Sequence, residues 1–296
     1  MTSERKVTFE EIVMKKLARY KIEKYPDIGR GKWGKKKGQE KEYDHILPPG
    51  YEHLNFLPPY RNEIREFIRK QGEKETKIKL HSPAHMNSSQ IMGLNFFYPF
   101  VHENLEHCIL MVLKEYDINA TGIVTEASFE HVPDKREYTN FDFCLKLNTG
   151  GKILVETKYR ESDFGPVKFF TLKNDKKRAI YEEKYKNTYE PGLRSKIVPS
   201  ELKMVTVLEF YQLARYVYYM EPDDFFTVIA PEGNLPLKQK FDDFKKILND
   251  HIKPRVIFIT WEDMVRKVRD KMRSEANVPQ KFFDHLDEFE YKYLRF

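Results

Sequence analysis

The spacing of apolar and polar positions changes along this chain, and the changes mark its elements. Over residues 8–25, Phe9, Ile12, Val13, Leu17 and Ile22 recur near the 3.6-residue repeat of a helix with one buried stripe. Thr8, with Glu11 three positions on, has the form of a capping box, and Pro26 ends the segment. Residues 26–60 have no period and carry Pro48-Pro49-Gly50 and Pro58-Pro59 as stops, and helical spacing returns over 61–71. The apolar residues of this stretch are too scattered to close a core alone. Residues 1–80 are therefore expected to be a helical and irregular extension packed on a domain spanning 81–296.

A long apolar stripe follows, from Ile91, Met92, Phe96 and Phe97 to Val101, Leu105, Cys108, Ile109 and Val112. With Ser88 or Ser89 as its cap it predicts a helix over 89–116, kinked or ended by Pro99. The period then drops to two, predicting a strand over 121–132 that enters a hairpin through a loop at 133–139. Two alternating runs, 140–147 and 152–159, flank Asn148-Thr149-Gly150-Gly151, which is how a β-hairpin is written. Pairing about Thr149 sets Phe143 opposite Val155 and Leu145 opposite Ile153 on one face. On the other, Asp142 meets Glu156 and Asn140 meets Lys158. Residues 171–200, rich in Lys, Glu and Tyr, read as a helical arm whose Arg178, Lys184 and Lys186 either contact phosphate or are simply solvated. Helical spacing over 205–220, a strand over 225–231, a helix over 241–252, a strand over 256–260 and two helices from Trp261 onward complete an α/β chain with a mixed sheet.

Composition narrows the picture. Apolar residues at 40% and a mean hydropathy of -0.68 describe a highly charged surface, and no run approaches the ~18 apolar residues of a membrane span. Met1-Thr2-Ser3-Glu4-Arg5-Lys6 leads into an amphipathic segment, unlike a signal peptide, so a cytoplasmic location is expected. Cys108 and Cys144 are too few for a disulfide framework and sit in apolar runs, as buried thiols do. A net charge of +6 permits a polyanionic partner without demanding one. More telling is the run from Arg30 to Gly38, with five cations around Trp33: a mobile basic loop that either lies along a phosphate backbone or is merely solvated. There is no P-loop and no glycine-rich dinucleotide turn to support ATP- or NAD-driven chemistry.

The hairpin carries the chemistry. Asp142 opposite Glu156 is a pair of like charges that needs a compensating cation, which Lys158 supplies in part and a divalent metal would complete. The plain alternative is a solvent-facing charge ladder. Glu-x-Lys is common here, and Glu75-Thr76-Lys77 repeats the same letters, but only the copy at Glu156 closes an apolar strand with an Asp on the strand before it. Phe141-Asp142 followed by Val155-Glu156-Thr157-Lys158 resembles the PD-(D/E)xK nuclease superfamily, whose restriction-endonuclease-like core runs αβββαβ. The resemblance implies that Asp142 and Glu156 hold Mg²⁺ or Mn²⁺, that the Thr157 carbonyl is a further ligand, and that Lys158 orients or helps deprotonate the attacking water. A third carboxylate would come from Glu130, at the end of the first strand, or from Glu103 on the preceding helix; otherwise each is a surface group.

Two further segments carry the resemblance. His85-Met86-Asn87-Ser88-Ser89-Gln90, leading into Asn95-Phe96-Phe97-Tyr98-Pro99, looks like a segment that precedes the hairpin in a bacterial restriction-endonuclease-like branch. Gln212 and Tyr216 match the Gln-x-x-x-Tyr spacing of RecB-like members, which implies Gln212 on a substrate phosphate or the bound water, with Arg215 at the rim. Glu161 is either an acceptor behind Lys158 or solvated. His81 and His85 are four apart, but Pro83 disfavours a helix there and no third ligand completes a metal site. His102, His107 and Cys108 likewise have no tetrahedral logic, so a solvated or capping role is expected. The resemblance thus implies a metal-dependent nuclease hydrolysing phosphodiester bonds of duplex DNA, with a homodimer suggested only by analogy of fold. The alternatives are a non-catalytic nucleic-acid-binding module on the same fold, or a nuclease for RNA or branched junctions.

Overall fold

The structure, a computed structural model, describes residues 7–34, 36, 38–71, 78–134 and 139–295. In chain order it opens with α1 (Phe9–Lys24), a short antiparallel ribbon of β1 (Gly31–Trp33) and β2 (Lys41–Tyr43), and α2 (Arg61–Gln71). Next come α3 (Ser89–His102), α4 (Glu106–Lys114), β3 (Val124–Asp134), β4 (Thr139–Leu147) and β5 (Lys152–Thr157). The arm follows as α5 (Asp175–Lys184), a π-helical turn (Tyr185–Tyr189) and α6 (Glu190–Leu193). The chain ends with α7 (Met204–Glu209), α8 (Tyr211–Tyr219), β6 (Phe225–Ala230), α9 (Leu235–Lys246), β7 (Val256–Thr260), α10 (Trp261–Ser274) and α11 (Gln280–Tyr293).

Strands β3 to β7 form one mixed sheet in chain order, antiparallel from β3 to β5 and parallel from β5 to β7. The αβββαβ order is present, with α8 crossing from β5 to β6. Continuous apolar runs such as Phe225 to Ala230 are buried on both sheet faces, as parallel strands require. One face carries the largest core cluster, with Phe97 stacked on Phe143 at 4.2 Å and Leu145, Ile153, Val155 and Trp261 around them. The other packs Cys144, Leu154, Phe226 and Val228 against Ala214 and Val217 of α8. The hairpin register is the expected one, Phe143 on Val155 and Leu145 on Ile153.

Several boundaries differ from their periodic readings, each for a local reason. The helix expected over 89–116 is two helices, and the break is not at Pro99 but at Asn104, which takes a left-handed φ of 57°. Pro99 stays inside α3. It has no N–H for the Asn95 carbonyl one turn back, and His285 Nε2 lies 2.5 Å from that oxygen instead. The helix over 205–220 is likewise split, at Phe210 (φ -104°, ψ 35°), into α7 and α8. The helix expected over 241–252 is shifted to Leu235–Lys246, because Pro236 suits a first turn and an apolar count overlooks it. Residues 30–38 are partly strand, not wholly loop; Lys35 and Lys37 lie outside the described residues, as do 135–138 of the connection into the hairpin. The last strand of the hairpin stops at Thr157 instead of 159.

The extension does not stand apart. The capping box of α1 is formed, with the Thr8 N–H donating to Glu11 at 2.9 Å and the Glu11 N–H to Thr8 Oγ1 at 3.2 Å. Val13, Leu17, Tyr20, Leu47 and Leu57 belong to the same cluster as Phe143 and Trp261. Among the described residues, no helix is long and apolar enough to cross a membrane.

Candidate active site

The site lies where β4 and β5 part. Their ladder ends at Phe143 on Val155, after which β5 stays with β6 (Glu156 on Val228, Thr157 on Ile229) and β4 stays with β3 (Phe141 on His131). The carboxylate of Asp142 fills the gap. Its Oδ2 accepts from both the Thr157 N–H and the Thr157 hydroxyl, each at 2.6 Å, while Oδ1 has no hydrogen bond among the described residues. The Thr157 hydroxyl also lies 3.2 Å from the Ser89 carbonyl at the start of α3. That close approach needs Gly93, since a Cβ there would stand 3.1 Å from Thr157 Oγ1.

Glu130 is bracketed opposite Asp142 by Phe129 on Phe143 and His131 on Phe141. It holds a left-handed φ of 51°, and β3 shifts register just beyond it. A strained non-glycine residue at a bulge re-aims its side chain, here toward Gln90 Nε2, which donates to Glu130 at 2.8 Å. Asn140 Nδ2 donates to the other Glu130 oxygen, so Asn140 serves Glu130 and does not face Lys158 as the ideal register predicts. The reason is the same parting of strands: beyond Phe143, β4 no longer tracks β5. Glu103, the other candidate for a third carboxylate, sits at the far end of α3 and accepts from Tyr60 Oη at 2.6 Å. A 14-residue helix puts it about 20 Å from Ser89.

Glu156 and Lys158 are nearly closed off from solvent, at 4% and 7% exposure. Lys158 Nζ lies 2.9 Å from Glu156 Oε1 and donates to Gln212 Oε1 at 3.0 Å. Gln212 Nε2 donates to Glu156 Oε1 at 3.0 Å, and Tyr216 Oη donates to Glu156 Oε2 at 2.5 Å. Both tips of the Gln-x-x-x-Tyr pair therefore reach the hairpin from one face of α8, as i and i+4 positions do. Arg215 is spent on the Thr139 hydroxyl (2.6 Å) and on the Tyr211 ring. The Lys158 backbone is held by Trp261 Nε1, which donates to its carbonyl at 3.0 Å.

Electrostatics reflect this crowding of acids. Burial, then the charges of Glu156 and Glu130, push Asp142 well above the usual carboxylate range against the two Thr157 hydrogen bonds. Burial also raises Glu130, opposed by the Gln90 and Asn140 bonds and reinforced by Glu156. Burial alone would lower Lys158, but Glu156, Glu161 and Asp142 outweigh it and hold the ammonium above its ordinary value. Glu130, Asp142 and Glu156 thus crowd together with a buried lysine bonded to Glu156, and Asp142 and Glu130 resist ionising without further positive charge. Hard oxygen donors with unmet negative charge fit a divalent cation, with Asp142 Oδ1 as the oxygen free to ligate.

A cleft of about 360 Å³ opens over these groups, walled by Glu130, Asn140 and Asp142 on one side and by His85, Asn87, Ser88, Ser89 and Gln90 on the other. The segment singled out in the sequence thus faces the hairpin acids directly. His81 and Arg160 also line the cleft. Glu161, also in the cleft lining, accepts from the Ser89 hydroxyl and from the Tyr159 N–H, both at 2.8 Å, and acts on Lys158 through its charge. Glu156 and Lys158 do not line the cleft wall. At its edge stands the Trp33 ring, 42% exposed and edge-on to His85 at 5.9 Å. Sequence reasoning missed the Thr157 side chain, Asn140 as a partner of Glu130, and Arg160. None bears a motif, and each matters only because of where the strands separate.

A mixed α/β chain whose sheet opens over an acidic cleft is the class that fold and site define. Within it the chain belongs to the restriction-endonuclease family described as "Restriction Endonuclease associating with ARP", whose model matches residues 16–294 and so takes in most of the extension as well as the sheet. No curated protein and no solved structure matches the chain.

Proposed function

We propose that this protein is a nuclease hydrolysing phosphodiester bonds of duplex DNA with Mg²⁺ or Mn²⁺ in the cleft over Asp142. The observation that carries the reading is the row of Glu130, Asp142 and Glu156 across three adjacent strands, with Lys158 bonded to Glu156 within it. Asp142, Glu156 and the Thr157 carbonyl would hold the cation, with Glu130 as the third carboxylate; Glu156, whose oxygens now accept from Lys158, Gln212 and Tyr216, would have to exchange one of those bonds to ligate. A cation so held lowers the pKa of water and offsets charge developing on the phosphate.

The chain's own groups then have separate tasks. Thr157 fixes one oxygen of Asp142 and leaves the other toward the cleft. Lys158, held beside Glu156 and Gln212, would orient a water and offset negative charge on the phosphate. Gln212 bridges Lys158 and Glu156, which would make it a positioning residue for both beside the contact with substrate phosphate or bound water that the resemblance implies. The β1–β2 ribbon, with the exposed Trp33 beside His85, would supply a stacking ring suited to nucleic acid, next to Lys32, whose ammonium lies 3.7 Å from Glu42.

The test is cleavage of duplex DNA by purified variants whose fold is checked by circular dichroism. Asp142→Ala, Glu156→Ala and Lys158→Ala are expected to stay folded and to lose Mg²⁺-dependent cleavage by at least about 100-fold. Retained cleavage in Lys158→Ala overturns the assignment. DNA binding with no Mn²⁺ binding in calorimetry replaces it with the non-catalytic module, and preference for RNA or branched substrates over duplex DNA corrects the substrate.

A further inference from the structure

Away from the cleft, the packing of α4 on α10 brings an imidazole, a thiol and a carboxylate together. His107 and Cys108 lie in the first turn of α4, and Glu275 is the residue on which α10 ends. Cys108 Sγ lies 3.2 Å from His107 Nε2, which in turn is 3.6 Å from Glu275 Oε1, and the three ligand atoms all fall within 4.8 Å of one another. Along the chain His107 and Cys108 lack a third ligand, because only the tertiary fold delivers Glu275.

The spacing fits a tetrahedral ion. Bonds of about 2.0–2.1 Å to nitrogen, 2.3 Å to sulfur and 2.0–2.2 Å to oxygen set neighbouring ligand atoms roughly 3.3–3.6 Å apart. The His–Cys and His–Glu pairs are already near that range, and Glu275, with its side chain 29% exposed, is free to close the remaining gap. Its second oxygen, Oε2, lies 3.8 Å from Lys271 Nζ, which orients the carboxylate from behind while Oε1 faces the imidazole. We propose that His107, Cys108 and Glu275 bind a zinc ion, with a fourth position open to water, and that the ion ties α4 to the end of α10.

The donor set argues for zinc over the cations suited to the cleft. Mg²⁺ and Mn²⁺ prefer oxygen ligands, whereas a thiolate with an imidazole selects a borderline-soft ion. A thiol ligates as its thiolate, so ion binding is accompanied by release of the Cys108 proton. The competing view is an ordinary His107–Glu275 ion pair beside an inert thiol.

Cobalt titration of the full-length, chelator-stripped protein decides between them. The expected result is a thiolate-to-cobalt charge-transfer band saturating at one equivalent, displaced by Zn²⁺ and untouched by excess Mg²⁺. The band should vanish in Cys108→Ser, persist in Cys144→Ser, and need at least tenfold more Co²⁺ in His107→Ala or Glu275→Gln. His107 has its side chain half exposed, so loss in that variant is not a failure to fold. Zn²⁺ should also raise the melting temperature of the wild type but not of Glu275→Gln. No band in the folded wild type, a band that survives Cys108→Ser, or a titration unchanged by His107→Ala overturns the proposal.

Discussion

At the scale of single residues, the decisive object is Asp142 and what Thr157 does to it. Thr157→Val keeps the side-chain shape and the backbone donor but deletes one of two hydrogen bonds to Oδ2. It is expected to cost about 1 kcal/mol of stability and about tenfold in Mn²⁺ affinity, read by urea denaturation and calorimetry. The raised pKa of Asp142 has a consequence of opposite sign. A carboxyl whose folded pKa lies above its unfolded one contributes stability below the unfolded value and loses it as pH rises through the folded value. At neutral pH and without a divalent cation, Asp142 therefore burdens the fold. Asp142→Asn should raise the melting midpoint in chelator and, if the proposed site binds Mn²⁺, remove the stabilisation expected from that ion. A midpoint in chelator that does not rise would mean the carboxylates are already neutralised.

At the scale of elements, α3 does three jobs along one helix. Its N-terminal end supplies the Ser88 and Ser89 wall of the cleft, Gly93 lets it close on β5, and Phe97 stacks on Phe143 of β4. Pro99 is tolerated because α11 supplies His285 to the Asn95 carbonyl. That histidine is fully buried, and burial lowers it to about 4 from the ordinary 6.5. The unfolded chain binds a proton that the folded one refuses, so this contribution is intact above pH 6.5. It is lost as pH falls toward 4, by up to about 3 kcal/mol. His285→Gln, which can still donate to Asn95, should lose less stability than the wild type between pH 6.5 and 4. Urea midpoints that fall in parallel would show that His285 is not the group responsible.

At the scale of the whole molecule, the two ends of the chain meet around the same core. Lys292 Nζ of α11 donates to the Asn55 carbonyl at 2.6 Å, and Asn95 Nδ2 of α3 donates to Tyr293 Oη at 2.9 Å. Asn95 Nδ2 also donates to that Asn55 carbonyl, at 3.1 Å. With Val13, Leu17 and Leu57 in the main cluster, the two bonds to Asn55 tie residues before 80 to α3 and to the closing helix. A chain of residues 81–296 alone would uncover that apolar surface and leave buried polar groups unpaired. It should show no cooperative melting transition; a sharp transition at the full-length midpoint would establish the extension as separable.

What the amino-acid order determined by itself were the features with a short repeat. Alternation wrote the hairpin and its register as far as Phe143 on Val155, 3.6-residue spacing wrote α1 and the helices beyond Trp261, and an apolar strand before it set the Glu156 copy of Glu-x-Lys apart from the others. The Gln212 and Tyr216 pair was also legible, because positions i and i+4 must share a helix face. The parting of β4 from β5, which turns a charge ladder into a cleft, was decided only by tertiary structure. So were the turning of Asn140 to Glu130, the choice of Glu130 over Glu103 as the acid beside Asp142, the shared core of extension and sheet, and the meeting of Glu275 with Cys108. The physical reason is range: periodicity reports what a residue does within a turn or a strand pair. Burial, like-charge crowding and ligand convergence depend on groups far apart in the chain that only packing brings within a few ångströms.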